Sequence, residues 1–176
     1  MTMNMIEKQG IRQRTFGWSN PKALVEAGRK MPGLAFLEAL KNGDLPPPPV
    51  TQLVDFTLAE VEDGRVVAAM QPQEFHFNPI GTVHGGIIAT LLDSVMGLAV
   101  HSTLAAGRGY TTLEIKVNYL RAVTIKTGPV QAIGRIVHRG RQTAMAEASL
   151  IDAAGKLLAQ SNTTCLLFDM PAGKAE

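Results

Sequence analysis

The sequence predicts an α+β domain in which one curved antiparallel sheet wraps around a single long central helix. Three observations carry this. The segment from about Gly85 to Leu104 is apolar nearly all round, as a helix inside a core is. On both sides of it, apolar and polar residues alternate with a period of two, as strands do. The order is two strands, the helix, then four strands, and curling one sheet around such a helix is the simplest way to hide it.

The elements follow in order. The first 30 residues carry the basic Lys8, Arg12, Arg14, Lys22, Arg29 and Lys30 against the acidic Glu7 and Glu26. This lead-in reads either as a solvated helical segment or as a basic arm for anionic ligands. Pro32 to Lys41 is a short amphipathic helix with Leu34, Leu37 and Leu40 near one face and Phe36 beside them, stopped by Asn42-Gly43. Pro46 to Pro49 is a stiff extended linker. Val54, Phe56 and Leu58 then alternate with Asp55 and Thr57, Glu62-Asp63-Gly64 turns, and Val66 to Met70 returns. A loop from Pro72 to Gly86 leads into the central helix. Beyond it, Thr111, Leu113, Ile115, Val117 and Tyr119 alternate with polar residues. Val130 to His138 and Gln142 to Ile151 flank the turn at Arg139-Gly140-Arg141. Asp152 to Gly155 turns into the last strand, Leu157 to Phe168. Residues 1–49 are thus expected to form an N-terminal helical extension with a Pro-rich linker, and residues 50–170 the sheet-and-helix domain.

Composition narrows the function. A chain of 176 residues, 45% hydrophobic and 18% charged with a net charge of +2, fits one globular core and no nucleic-acid partner. The lone Cys165 forms no internal disulfide. No apolar leader and no long uninterrupted apolar run are visible, so a cytoplasmic protein acting on a small molecule is expected, without a membrane partner. No His-x-x-x-His or Cys-x-x-Cys pair points to a metal, and no cofactor is expected.

The chemistry concentrates in His76-Phe77-Asn78-Pro79-Ile80-Gly81-Thr82-Val83-His84-Gly85-Gly86 and in the helix that follows. Two glycines at a helix start leave backbone N–H donors unshielded, and these, with the helix dipole, favour developing negative charge. The same glycines would also serve a tight turn. Asp93 is the only charged residue between Gly85 and Val100, and a buried carboxylate needs a partner or a task. Thr90, Asp93, Gly97 and His101 share one stripe of the helix. Asp93 is therefore either paired, with His101 or a backbone donor, or functional. His76 and His101 read as structural, the latter placed near a helix C-terminus where the dipole favours it.

Asn78-x-x-Gly81-x-x-His84-Gly85-Gly86-x-x-x-x-Leu91-x-Asp93 resembles the signature of the PaaI-like thioesterase family of hot-dog proteins. Thr112-x-Glu114 with Tyr119-Leu120-Arg121, then His138-Arg139-Gly140-Arg141, then Asp152-x-x-Gly155-Lys156 resemble its downstream landmarks. The resemblance covers roughly residues 50–168. It implies the hot-dog fold and hydrolysis of an acyl-CoA. It implies that the Gly85 N–H polarises the thioester carbonyl and that Asp93 is general base or nucleophile. Asn78 and His84 would place the thioester or the water, with Thr112 near the carboxylate and Gly86 at the substrate. Ala122 stands where the family commonly has proline. A hot-dog dehydratase and a non-catalytic acyl-CoA binding module are the competing readings.

Two further expectations concern partners. Arg139 and Arg141 at a hairpin tip, with Arg121 on the same side of the sheet, would hold a CoA phosphate. Gly85 and Asp93 are eight residues apart, about 12 Å along a helix, too far to act on one carbonyl from one chain. A homodimer or homotetramer with antiparallel helices and sites shared between chains follows from that distance and those roles.

Overall fold

The computed structural model describes residues 10–171, so Glu7 and Lys8 of the lead-in lie outside it. Helices α1 (Lys22–Lys30), α2 (Gly33–Asn42) and α3 (Pro49–Val54) precede the hairpin of β1 (Phe56–Glu62) and β2 (Arg65–Met70). The central helix α4 (Gly85–Ser102) follows, then β3 (Arg108–Tyr119), β4 (Val130–Arg139), β5 (Thr143–Asp152) and β6 (Leu157–Asp169). The six strands form one antiparallel sheet in the order β1-β2-β4-β5-β6-β3, curled around α4 in the hot-dog arrangement.

Helix α4 is long and apolar enough to cross a membrane. Here the sheet takes that role of apolar surroundings: Ile88, Leu91, Leu92, Val95, Met96, Ala99 and Val100 are buried in the common core. The helix lies hard against β4 at Gly134, where an added Cβ would sit 2.3 Å from the Val95 carbonyl oxygen. Only glycine lets the two backbones approach so closely.

Helix α3 departs from the sequence expectation. The proline run does not end as an extended linker. Pro49 opens a helix at its first position, where a missing N–H costs nothing. Val54 belongs to that helix and not to β1. Asp55 closes it with φ of 64°, a left-handed conformation that Asp tolerates. Arg14 of the lead-in donates to the Leu53 and Gln52 carbonyl oxygens at 3.0 and 2.9 Å and pairs with Asp55 at 3.5 Å. Arg12 pairs with Glu74. These two lead-in arginines serve internal contacts.

Helix α2 seals part of α4. Its Leu37 is fully buried, its Gly33 N–H donates to the Leu104 carbonyl, and Phe36 meets the His101 ring edge-on. It covers the C-terminal half of α4. On the N-terminal half, Gly86 is exposed and Thr90 and Asp93 are partly so.

Strand β3 ends the sheet with a free edge and is not regular. A bulge lies between Thr112 and Glu114. Thr111, Leu113 and Ile115, the odd-numbered residues of the alternation, do not face α4 here. Leu113 is 57% exposed, Thr111 is exposed, and Tyr110 and Thr112 turn toward α4 instead.

Candidate active site

Helix α4 begins where the loop from Asn78 ends. The Asn78 carboxamide oxygen accepts the Ile80 and Thr82 N–H groups, and its nitrogen donates to Thr82 Oγ1 at 2.9 Å. That side chain builds the loop and keeps one amide hydrogen for another acceptor. His76 is buried. Its Nδ1 accepts the Gln73 N–H, so Nε2 carries the proton and donates to the Val54 carbonyl at 2.9 Å. Its own carbonyl accepts the His84 N–H. His76 thus ties α3 to the start of α4, a structural role.

His84 is the N-cap. Its Nδ1 accepts the Gly86 N–H at 2.9 Å, which leaves the ring proton on Nε2. The Ile87 and Ile88 N–H groups both reach back to the His84 carbonyl. Of the first-turn donors, only the Gly85 N–H has no protein acceptor among the described residues. The sequence suggested two free glycine donors; the cap consumes one. Tyr119 Oη donates to the Gly85 carbonyl at 2.9 Å, and a Cβ on Gly85 would press on that ring at 3.3 Å. A cleft of about 280 Å³ beside Gly85 is lined by Asn78, Tyr119 and Arg121, among others.

Two helical turns on, Asp93 Oδ1 accepts a hydrogen bond from Thr112 Oγ1 at 2.9 Å. This resolves the two options for Asp93's partner: neither His101 nor a backbone donor binds it, and Thr112 rather than Thr111 reaches it. Tyr110, two residues before Thr112, lays its hydroxyl over Gly97, where a Cβ would clash at 2.4 Å. Burial, then the charge of Asp93, then Cys165 push the Tyr110 phenol upward in pKa. Cys165 sits opposite Thr112 in the strand register, buried, with its thiol also raised chiefly by burial. Neither Tyr110 nor Tyr119 was assigned a task from the sequence. A tyrosine in an alternating strand looks like any half-buried aromatic until the bulge and the helix register are known.

His101 is structural, as the sequence suggested, but not for the dipole reason its position offered. Both ring nitrogens are buried without a hydrogen-bond partner among the described residues, and the ring lies between Phe36 and Tyr110. Burial lowers its pKa, so the ring packs as an apolar group and no dipole-stabilised cation is present. A depressed histidine contributes stability that is complete above its unfolded value near 6.5 and is lost as pH falls through 6.5 toward the folded value. His76, also lowered chiefly by burial, adds to the same acid limb. His101→Phe is expected to raise stability by about 1 kcal/mol at neutral pH, since it removes unsatisfied buried nitrogens. It should also shrink the fall in Tm between roughly pH 7 and 5. Thermal melts across that range check both; an unchanged acid limb would assign it wholly to other groups.

The three arginines do not meet within one chain. Arg121 donates to the Leu157 carbonyl at the Tyr119 end of β3. Arg141 lies at the opposite end, where its carbonyl accepts from Arg108. That strand is about 36 Å long at 3.3 Å per residue, so Arg121 and the Arg139–Arg141 turn cannot hold one phosphate within a single chain. Among the described residues, no group of His, Cys, Asp and Glu could hold a metal ion.

Comparison with known proteins adds the family. A model described as the thioesterase superfamily matches residues 80–159, from the loop before α4 into β6. Human acyl-coenzyme A thioesterase 13 is 32% identical over 110 residues, covering 61% of this chain and 76% of the relative. A phenylacetic acid degradation-related protein from Ralstonia eutropha JMP134 superposes with a TM-score of 0.67 at 26% identity, over 74% of this chain and 98% of that one. A Streptococcus mutans protein bound to acetyl-CoA superposes with a TM-score of 0.60 at 28% identity, over 66% and 91%.

Proposed function

The chain belongs to the thioesterase superfamily and is a thioester hydrolase of the PaaI type, and on that premise we propose that it hydrolyses an acyl-CoA to CoA and a carboxylic acid. The observation that carries the reading is the pairing on α4 of one unclaimed N–H, at Gly85, with one carboxylate held by a hydroxyl, at Asp93. In this reaction Asp93 takes a proton from water as the water oxygen bonds to the thioester carbon. The carbonyl oxygen becomes an oxyanion and rests on the Gly85 N–H, with the helix dipole behind it. Collapse breaks the C–S bond, and the CoA thiolate takes up the proton. Attack by the Asp93 carboxylate itself, followed by hydrolysis of the resulting anhydride, uses the same geometry. Asn78 has an amide hydrogen to offer the substrate or the water, and His84 presents its Nε2–H.

The distance between Gly85 and Asp93 supports a site built from two copies of the chain. Antiparallel pairing of two α4 helices with Asp93 opposite the second copy's Gly85 centres the axis on Ala89. That lies on the half of the helix that α2 leaves open. The free edge of β3 suits the same two-fold, because an unpaired edge of this length otherwise invites other pairings. Antiparallel β3 edges would also bring Arg139 and Arg141 of the second copy toward Arg121. The CoA phosphate would then be read by arginines from both.

The test is CoA release, followed with a thiol reagent, over short, medium, long and aromatic acyl-CoA thioesters. Turnover of at least one class is expected. Water loss from a 3-hydroxyacyl thioester without CoA release would move the chain to the dehydratases, and binding without turnover would make it a binding module.

A further inference from the structure

The first turn of α4 separates two unlike spaces. Gly85 and Ile88 face the cleft that holds Asn78 and Arg121. Gly86, Ile87 and Thr90 face the other way, at about 100° per residue, into an open trough of about 550 Å³. Its walls are Val50 and Leu53 of α3, Phe75 and Phe77 of the loop, and Ile87 of α4, with His84 at one end. Among the described residues, no Asp, Glu, Lys or Arg lines it. Val50, Leu53 and Phe75 are large apolar side chains left exposed there. An exposed apolar surface of this kind marks a binding site when a function can be assigned to it.

The trough is held in shape by the lead-in. Arg14 stacks on the Phe75 ring at 3.8 Å and, through its bonds to the Leu53 and Gln52 carbonyls, clamps α3 beside it. Helix α3 and the lead-in precede residue 80, where the match to the family model begins.

A thioester whose carbonyl oxygen sits at Gly85 has one polar arm, the thiol carrier, and one arm that is the acyl group. We propose that the α3 trough binds the acyl arm and selects an uncharged, apolar acyl chain, while the Arg121 cleft takes the carrier. This rests on the reading of the chain as an acyl-CoA hydrolase. The assignment follows the match of polarity to polarity on the two faces of one helix turn, and from the continuity of the trough with His84 and Gly86 at the reacting end.

The experiment uses the full chain and two readouts. The first is kcat/KM over straight-chain acyl-CoA thioesters from acetyl to decanoyl. The second is calorimetric binding of the matching S-alkyl-CoA thioethers, which cannot be hydrolysed. Both should rise with length in the native protein, by up to about fourfold per methylene buried. Leu53→Asp, at a position 53% exposed and so tolerant of charge, should flatten both slopes. Val137→Asp, an equally exposed site outside the trough, should keep them. Slopes that are flat in the native protein, or that survive Leu53→Asp, overturn the proposal and leave the trough to a segment of a second copy. Thioether affinity that rises with length and is lost in Leu53→Asp, without turnover of any thioester, keeps the trough and overturns the hydrolase reading instead.

Discussion

Asp93→Asn is expected to lower kcat by about 10²–10⁴-fold, the range for removing a general base, with little change in KM. The substitution is chosen because the fold should not feel it. The Asn carbonyl oxygen can still accept the Thr112 hydroxyl that Asp93 Oδ1 accepts now. The side chain keeps its size on a helix whose other face is packed. What disappears is the ability to take a proton or to attack carbon, so kcat and kcat/KM should fall together. Steady-state kinetics on the best substrate of the acyl-CoA panel, with a melt to verify folding, decides it. Near-normal turnover in folded protein would remove Asp93 from the chemistry and leave Thr112 a purely structural partner.

The second large effect is recovery of activity by mixing two dead proteins. Gly85→Pro should be inactive as a homo-oligomer because it deletes the one unclaimed N–H at the helix start. Proline suits this position, the first of the helix, and His84 before it already has the extended backbone (φ −59°, ψ 135°) that a residue preceding proline requires. The Tyr119 ring must give by a few tenths of an ångström, and its exposure allows that. Mixed with Asp93→Asn and refolded, each heterodimer holds one site with both defects and one with neither. A statistical mixture should therefore return roughly a quarter of native activity. Verified heterodimers with no recovery, or a fully active monomer, would end the shared-site model.

The parts of this molecule legible in the sequence are those where a pattern has one physical cause. Helix α4 is apolar all round because everything around it is core, so it announces both itself and the sheet. Gly43 stops α2 in the left-handed conformation that Asn-Gly foretells. Helix α3 stayed hidden because prolines that usually stiffen a linker also start helices, and Val54 happened to continue the alternation of Phe56 and Leu58. Within the site, Gly85 and Asp93 stand out by residue type and position. The cap that takes Gly86, the tyrosines at 110 and 119, and the two unequal spaces beside the helix depend on tertiary contacts that no local pattern carries. The cause that places His101 was hidden for the same reason. Position on a helix suggests a cation, whereas Phe36, far earlier in the chain, supplies the apolar wall that keeps the ring neutral.

The bulge in β3 sets the phase of the whole strand. Thr112 must meet Asp93 and Tyr119 must meet Gly85, yet the two are seven residues apart, an odd number, and a regular strand sends such a pair to opposite faces. The surplus residue at the Thr112–Glu114 step converts odd spacing into a shared face. The strand is therefore phased like a gear with one added tooth. Deleting or inserting a single residue between Glu114 and Tyr119, with the bulge left in place, would leave the contacting side chains chemically intact and still disengage one end of the site from the helix. For relatives of this chain, the parity of that interval becomes a criterion: those with even spacing and no bulge can keep both contacts, and those with odd spacing need the bulge.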